Sequence, residues 1–135
     1  MIVDDRITLL GQNVDDLPVI SALLQDATLR CEDLAFDRRA RRLVLLVNRF
    51  RWEAATPSRV RCALRIDTVT AVQRQNWPID PAAVLNLLGL SSEDDWLALT
   101  FAANAALRAR VEVIEAVIED IAAPWSTSRA PHHPN

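Results

Sequence analysis

Residues 59–66 alternate without a break. Val60, Cys62, Leu64 and Ile66 fall on one parity, and Arg59, Arg61, Ala63 and Arg65 on the other. Successive side chains of an extended chain point to opposite faces, so this segment must be a strand with one face in a core and one in water. The same period governs residues 28–74. Leu29 and Cys31 alternate with Arg30 and Glu32, and Leu34 and Phe36 then take the opposite parity, which predicts a bulge or bend near Glu32 and Asp33. Residues 37–42 form a polar reversal rich in arginine. Residues 43–47 are continuously apolar, as in a strand covered on both faces. The pattern Arg49-Phe50-Arg51-Trp52 follows, so this strand leaves the core partway along, and Pro57 marks the next turn.

The flanking segments complete the order of elements. Residues 6–10 read as a short opening strand closed by Gly11 and Asn13. A helix starts around Val14, with Asp15 placed to accept from free first-turn amides and Pro18 where no donor is needed. Leu17, Ile20, Leu23 and Leu24 give its buried stripe, Val14 is placed to staple onto Val19, and the helix ends near Gln25. Residues 76–81 are a loop, the second half of residues 84–90 a strand, and residues 91–95 an acidic loop. Residues 96–111 read as a hairpin. From Glu112 the spacing turns helical: Val113, Ile114, Val117, Ile118 and Ile121 predict a C-terminal amphipathic helix, stopped by Pro124, with Trp125 packed back on the core.

The expected fold class is therefore α+β. It is a single antiparallel β-sheet or partly closed roll of roughly six to seven strands, with an N-terminal helix and a C-terminal amphipathic helix on its apolar face. A pleckstrin-homology-like roll, whose C-terminal helix plugs the barrel, fits the same order. Residues 1–125 are expected to form one domain and residues 126–135 a flexible tail.

The chain has 135 residues, half of them apolar, which suits one globular domain. Its acidic start resembles neither a signal peptide nor a membrane anchor, and no apolar run approaches the ~18 residues of a spanning helix. No membrane insertion and a cytoplasmic location are expected, with Cys31 and Cys62 as buried, reduced thiols. The catalytic inventory is thin. The only histidines, His132 and His133, lie in the tail. Two glycines, Gly11 and Gly89, cannot build a phosphate-cradling loop. Glu112, Glu115 and Glu119 read as a solvated helix face, and residues 93–95 as a solvated loop. No catalytic residue, metal site or cofactor is expected.

Charge is the strongest positive signal. Residues 38–74 carry ten arginines against Glu53 and Asp67, a balance of +8, whereas the whole chain stands at −3. Arg59, Arg61 and Arg65 share a strand face. Arg49 and Arg51 join them if the preceding strand pairs in matching parity, with Phe50 and Trp52 beside them as stacking surfaces. The candidate binding set is Arg49, Arg51, Trp52, Arg59, Arg61 and Arg65. The expected function is a non-catalytic interaction module that uses this arginine face, or a sheet edge, to bind a protein partner or a second copy of itself. The alternative is a binder of a phosphorylated small ligand or RNA through the same arginines. Against both stands the simple reading of a solubilising sheet face.

The blocks DLPVISALLQDATLRCEDLAF, LVNRFRWE, DPAAVLNLL and VEVIEAVIEDIAAPW resemble a family of short bacterial proteins catalogued as a domain of unknown function. The resemblance runs from about Leu9 to Trp125. It implies a complete single domain in a cytoplasmic bacterial setting and carries over no activity, cofactor or catalytic residue.

Overall fold

In a computed structural model that describes residues 6–127, the parity of residues 59–66 holds: Val60, Cys62, Leu64 and Ile66 are at most 1% exposed. The elements are, in order, β1 (Thr8–Gly11), α1 (Leu17–Leu24), β2 (Thr28–Arg30), β3 (Leu34–Asp37), β4 (Arg42–Phe50), β5 (Ser58–Ile66), β6 (Val69–Gln75) and β7 (Val84–Glu93). They continue with β8 (Trp96–Phe101), β9 (Ala106–Val111), β10 (Ala116–Asp120) and β11 (Trp125–Ser126). All pairings are antiparallel. The sheet runs β1-β10-β5-β4-β2-β7-β8-β9-β6, with β3 added to β4 and β11 to β5. Its inner face encloses one apolar core drawn from both halves of this path. The sheet is not closed.

Eleven strands replace the six to seven expected, partly because two long edges are broken. β2 and β3 follow one another along β4, through the pairs Thr28↔Asn48 and Leu34↔Leu45. A 3-10 turn at Cys31–Asp33 separates them, where the parity slip predicts a bend. β10 and β11 likewise follow one another along β5.

The single α-helix among the described residues lies across β7. The cap at its start is Asn13 rather than Asp15: Asn13 Oδ1 accepts from Asp15 N at 2.9 Å, and the Asp16 carboxylate accepts from Gln12 N and Asn13 N. This box caps a 3-10 turn, Val14–Asp16, that leads into α1. Leu17, Ile20 and Leu24 are buried, while Val14 and Val19 stay more than half exposed instead of closing a staple. Both glycines serve the approach of this helix. A Cβ on Gly11 would lie 2.6 Å from Ile20 Cδ1, and one on Gly89 would lie 3.3 Å from Ser21 Oγ.

The predicted C-terminal helix is absent, and with it the plug of the pleckstrin-homology-like alternative. Residues 116–120 are β10, between β1 and β5, with Ala116, Ile118 and Asp120 inward and Glu119 outward. A short β-branched run such as Val117-Ile118 satisfies both periods. Two neighbouring strands with unpaired edges decide for the ladder. Trp125 is 44% exposed in β11 rather than packed on the core. No helix among the described residues is long and apolar enough to cross a membrane. The histidines and residues 128–135 lie outside the described residues.

The strand assignment is testable by parity. Ile118→Ala should cost about 2–4 kcal/mol in urea unfolding, and Glu119→Ala no more than about 0.5 kcal/mol.

Candidate functional site

The β4–β5 register decides the fate of the candidate arginines. Arg49 pairs with Val60, so it falls on the inward parity of Leu43, Leu45 and Val47, and Arg59, Arg61 and Arg65 fall on the other face. The five guanidiniums do not share a surface. Arg49 is fully buried. It grips Glu53 through Nη1 and Nη2 at 2.8 and 2.9 Å, and Asp120 through Nε and Nη2 at 3.0 and 2.8 Å. Burial opposes its charge, but the hydrogen bonds to both carboxylates outweigh burial and raise its pKa above that of free arginine. Asp120 also accepts from Ile7 N at 2.9 Å, which ties in the entry to β1.

The remaining members are also engaged within the chain. Arg51 donates to Ser58 Oγ at 3.0 Å. Arg59 donates to the carbonyls of Asn48 and Asp26, 5.8 Å over the Phe50 ring, and burial lowers its pKa. Arg61 donates to Asn48 Oδ1 and approaches Asp33, and Arg65 shares Asp67 with Arg42. Trp52 packs edge-on against Phe50 and donates to Gln25 O at 2.9 Å, so its ring is not a free stacking platform.

A different set of arginines faces open space. The reversal between β3 and β4 meets the start of β6 at one corner, where Val69 N donates to Arg41 O at 2.9 Å. Arg41 (φ 54°) and Thr68 (φ 57°) both sit in the left-handed region. That is costly for β-branched Thr68, and it is held there by its neighbours: Thr68 Oγ1 exchanges two hydrogen bonds with the Val113 backbone, and Thr68 O accepts from Glu112 N. Arg41 Nη1 reaches Glu112 Oε1 at 2.6 Å. Beyond this corner β3 pairs only with β4, and β6 only with β9. The loop after β6 returns to the chain just before β3, where Cys31 N and Glu32 N donate to Ala83 O and Pro81 O, both at 3.0 Å.

Between the two edges lies a cleft of about 530 Å³. Leu34, Phe36, Val69 and Val72 give its apolar lining, and Arg38, Arg41 and Arg74 its charge. Arg38 lies 5.9 Å over Phe36 and Arg74 lies 5.5 Å over Trp77, which leaves their N–H edges available. Neither is paired with a carboxylate among the described residues. Within the described residues no group of three or more His, Cys, Asp or Glu is placed to hold a metal. Both cysteines are free; burial raises the Cys31 thiol and pushes Cys62 up to about 12. Sequence reasoning marks residues 37–42 as an arginine-rich turn, but nothing in the alternation brings that turn beside Arg74.

Fold and site together define an open antiparallel β-roll with a cationic cleft at its seam. Over residues 7–133 the chain matches the family described as "Protein of unknown function (DUF2948)", and it belongs to that family. No curated protein and no solved structure matches it.

The buried cluster predicts two results. Asp120→Asn leaves the buried Arg49 with Glu53 as its one carboxylate partner and should cost up to about 3 kcal/mol in urea unfolding, with part recovered when Arg49→Met is added. The hydrogen bonds from Arg49 hold the Glu53 carboxyl below its usual range. A depressed folded pKa contributes stability above the unfolded value, about 4.3, that is lost as pH falls through the folded value. The urea midpoint should thus be level near neutrality and drop on acidification below about pH 4.5, less steeply in Glu53→Gln.

Proposed function

We propose that the protein is a non-catalytic binding module of the cytoplasm, and that the cleft between β3 and β6 receives an anionic group of its partner. One observation carries the reading: Arg38 and Arg74 flank an open cleft and pair with no carboxylate among the described residues. A guanidinium offers planar paired donors, and a carboxylate or phosphate answers them in kind. The chemistry elsewhere fits a binder. Arg49, Arg61, Arg65, Arg41 and Arg110 each have a carboxylate within 4 Å, which leaves the acids they face poorly placed as general bases. The Cys62 thiol, pushed up to about 12, is a poor nucleophile. Two free thiols suit a reducing compartment.

Inorganic phosphate is a sufficient probe. Titrated against labelled protein at low salt, it should shift the Arg38 and Arg74 Nε–H resonances and the Thr70 amide. Arg38→Ser and Arg74→Ser should each weaken phosphate binding at its own end of the cleft about tenfold, and added salt should weaken it further. Arg39→Ser, on the same turn, is the control and should change little. Shifts confined to other surfaces, or unaltered by either substitution, overturn the reading.

A further inference from the structure

We infer that the cleft takes an extended acidic segment of a partner protein, added as a strand along the free edge of β6; this rests on the anion-binding reading above. The first observation is the backbone. β6 runs seven residues with β9 on one side only, and beyond Val69 its other edge makes no backbone hydrogen bond among the described residues. Such an edge presents an unpaired row of donors and acceptors, and strand addition is the recurrent way to use it. β3 borders the same cleft and is likewise unpaired on that side.

The second observation is how the charge is arranged. Arg38 belongs to the turn that the Arg41 carbonyl ties to the Val69 position, and Arg74 takes the position at the opposite end of β6. The strand rise separates these positions by roughly 15 Å, allowing for the bulge after Val69. A small ligand needs polar groups that converge, and these are spread along a line. Among the described residues no buried side-chain polar atom lacks a partner. Half-buried Leu34, Phe36 and Val72 lie between the charged ends. An extended chain with acids at i and i+4 and an apolar residue at i+2 spans about 13 Å and puts all three on one face. That pattern matches the cleft. Nucleic acid is disfavoured, because the Phe36 ring in the cleft lies beneath the Arg38 guanidinium, Arg74 is stacked over Trp77, and the chain is acidic overall.

The test uses the full chain and a short blocked peptide with glutamates at i and i+4 around a central valine. Calorimetry should give binding that falls at least tenfold when the glutamates become glutamine, and likewise in Arg38→Ser/Arg74→Ser. Amide exchange of residues 70–74 should slow on binding. Two further peptides carry N-methyl groups on alternate amides of one edge or the other. At least one should lose binding, because one edge must donate to β6. Undiminished binding of both methylated peptides, or unchanged exchange at residues 70–74, overturns strand addition. If phosphate binds the cleft and the peptide does not, the inference falls and the anion-binding reading stands. If neither binds there, both fall. An oligonucleotide that competes at residues 70–74 where the peptide does not also sinks the inference.

Discussion

A guanidinium with no access to water holds the central strands in place. Arg49 directs four N–H groups at the carboxylates of Asp120 and Glu53, and a charge so deeply placed survives only when it is satisfied in this way. The groups it joins are far apart in sequence: β4, the turn after β4, β10 and, through Ile7 N, the entry to β1. A one-residue slip of β10 along β5 would turn Ile118 and Asp120 outward and break the bonds of Asp120 to Arg49 and Ile7 N. The cluster therefore selects a register as well as stabilising one, in a region where the apolar pattern alone permits a helix.

The same pairing explains what becomes of the charge asymmetry. A run of ten arginines looks like a basic patch, but most of those side chains meet acids from elsewhere in the chain. Asp33 meets Arg61, Asp67 meets Arg42 and Arg65, Glu112 meets Arg41, and Asp120 meets Arg49. These contacts stitch the sheet together across its strands, with the exposed ones contributing little each and the buried one fixing geometry. Among the described residues Arg38, Arg39, Arg59 and Arg74 form no ion pair; Arg59 donates to backbone carbonyls, and of the others Arg38 and Arg74 border the seam. What reads as a broad surface in one dimension becomes a framework plus a localised site in three.

How much of this is legible in the chain depends on whether a segment has a parity. Residues 59–66 have one, and the inward and outward sets are those observed. The helix stripe of Leu17, Ile20 and Leu24, the bend at residues 31–33 and the hairpin of β8 and β9 are read from equally local signals. β4 begins with a continuous apolar run and so carries no parity of its own. Arg49 takes its side from the strand register, and the loop of residues 51–57 hides that register. β10 fails for the opposite reason, since Val117 and Ile118 fit two periods at once. The cleft is not legible at all. It is made by two strands that never pair, each placed by a different neighbour.

That two such strands stay apart has a local cause. At the corner where they meet, Arg41 and Thr68 both turn through the left-handed region, and the Thr68 side chain and carbonyl are bound to the segment at Glu112 and Val113. A ladder between β3 and β6 would have to continue from the single bond Val69 N to Arg41 O. Just past it, the register of β6 on β9 shifts at a bulge between Val69 and Ala71. Closing the seam would require undoing that bulge and releasing Thr68, which three hydrogen bonds hold in a conformation no β-branched residue adopts unaided. The loop at residues 76–83 fixes the other end through Cys31 and Glu32. The opening is thus held by the frame around it, and a ligand entering it need not first order the walls, which removes a cost that binding to a mobile edge would incur.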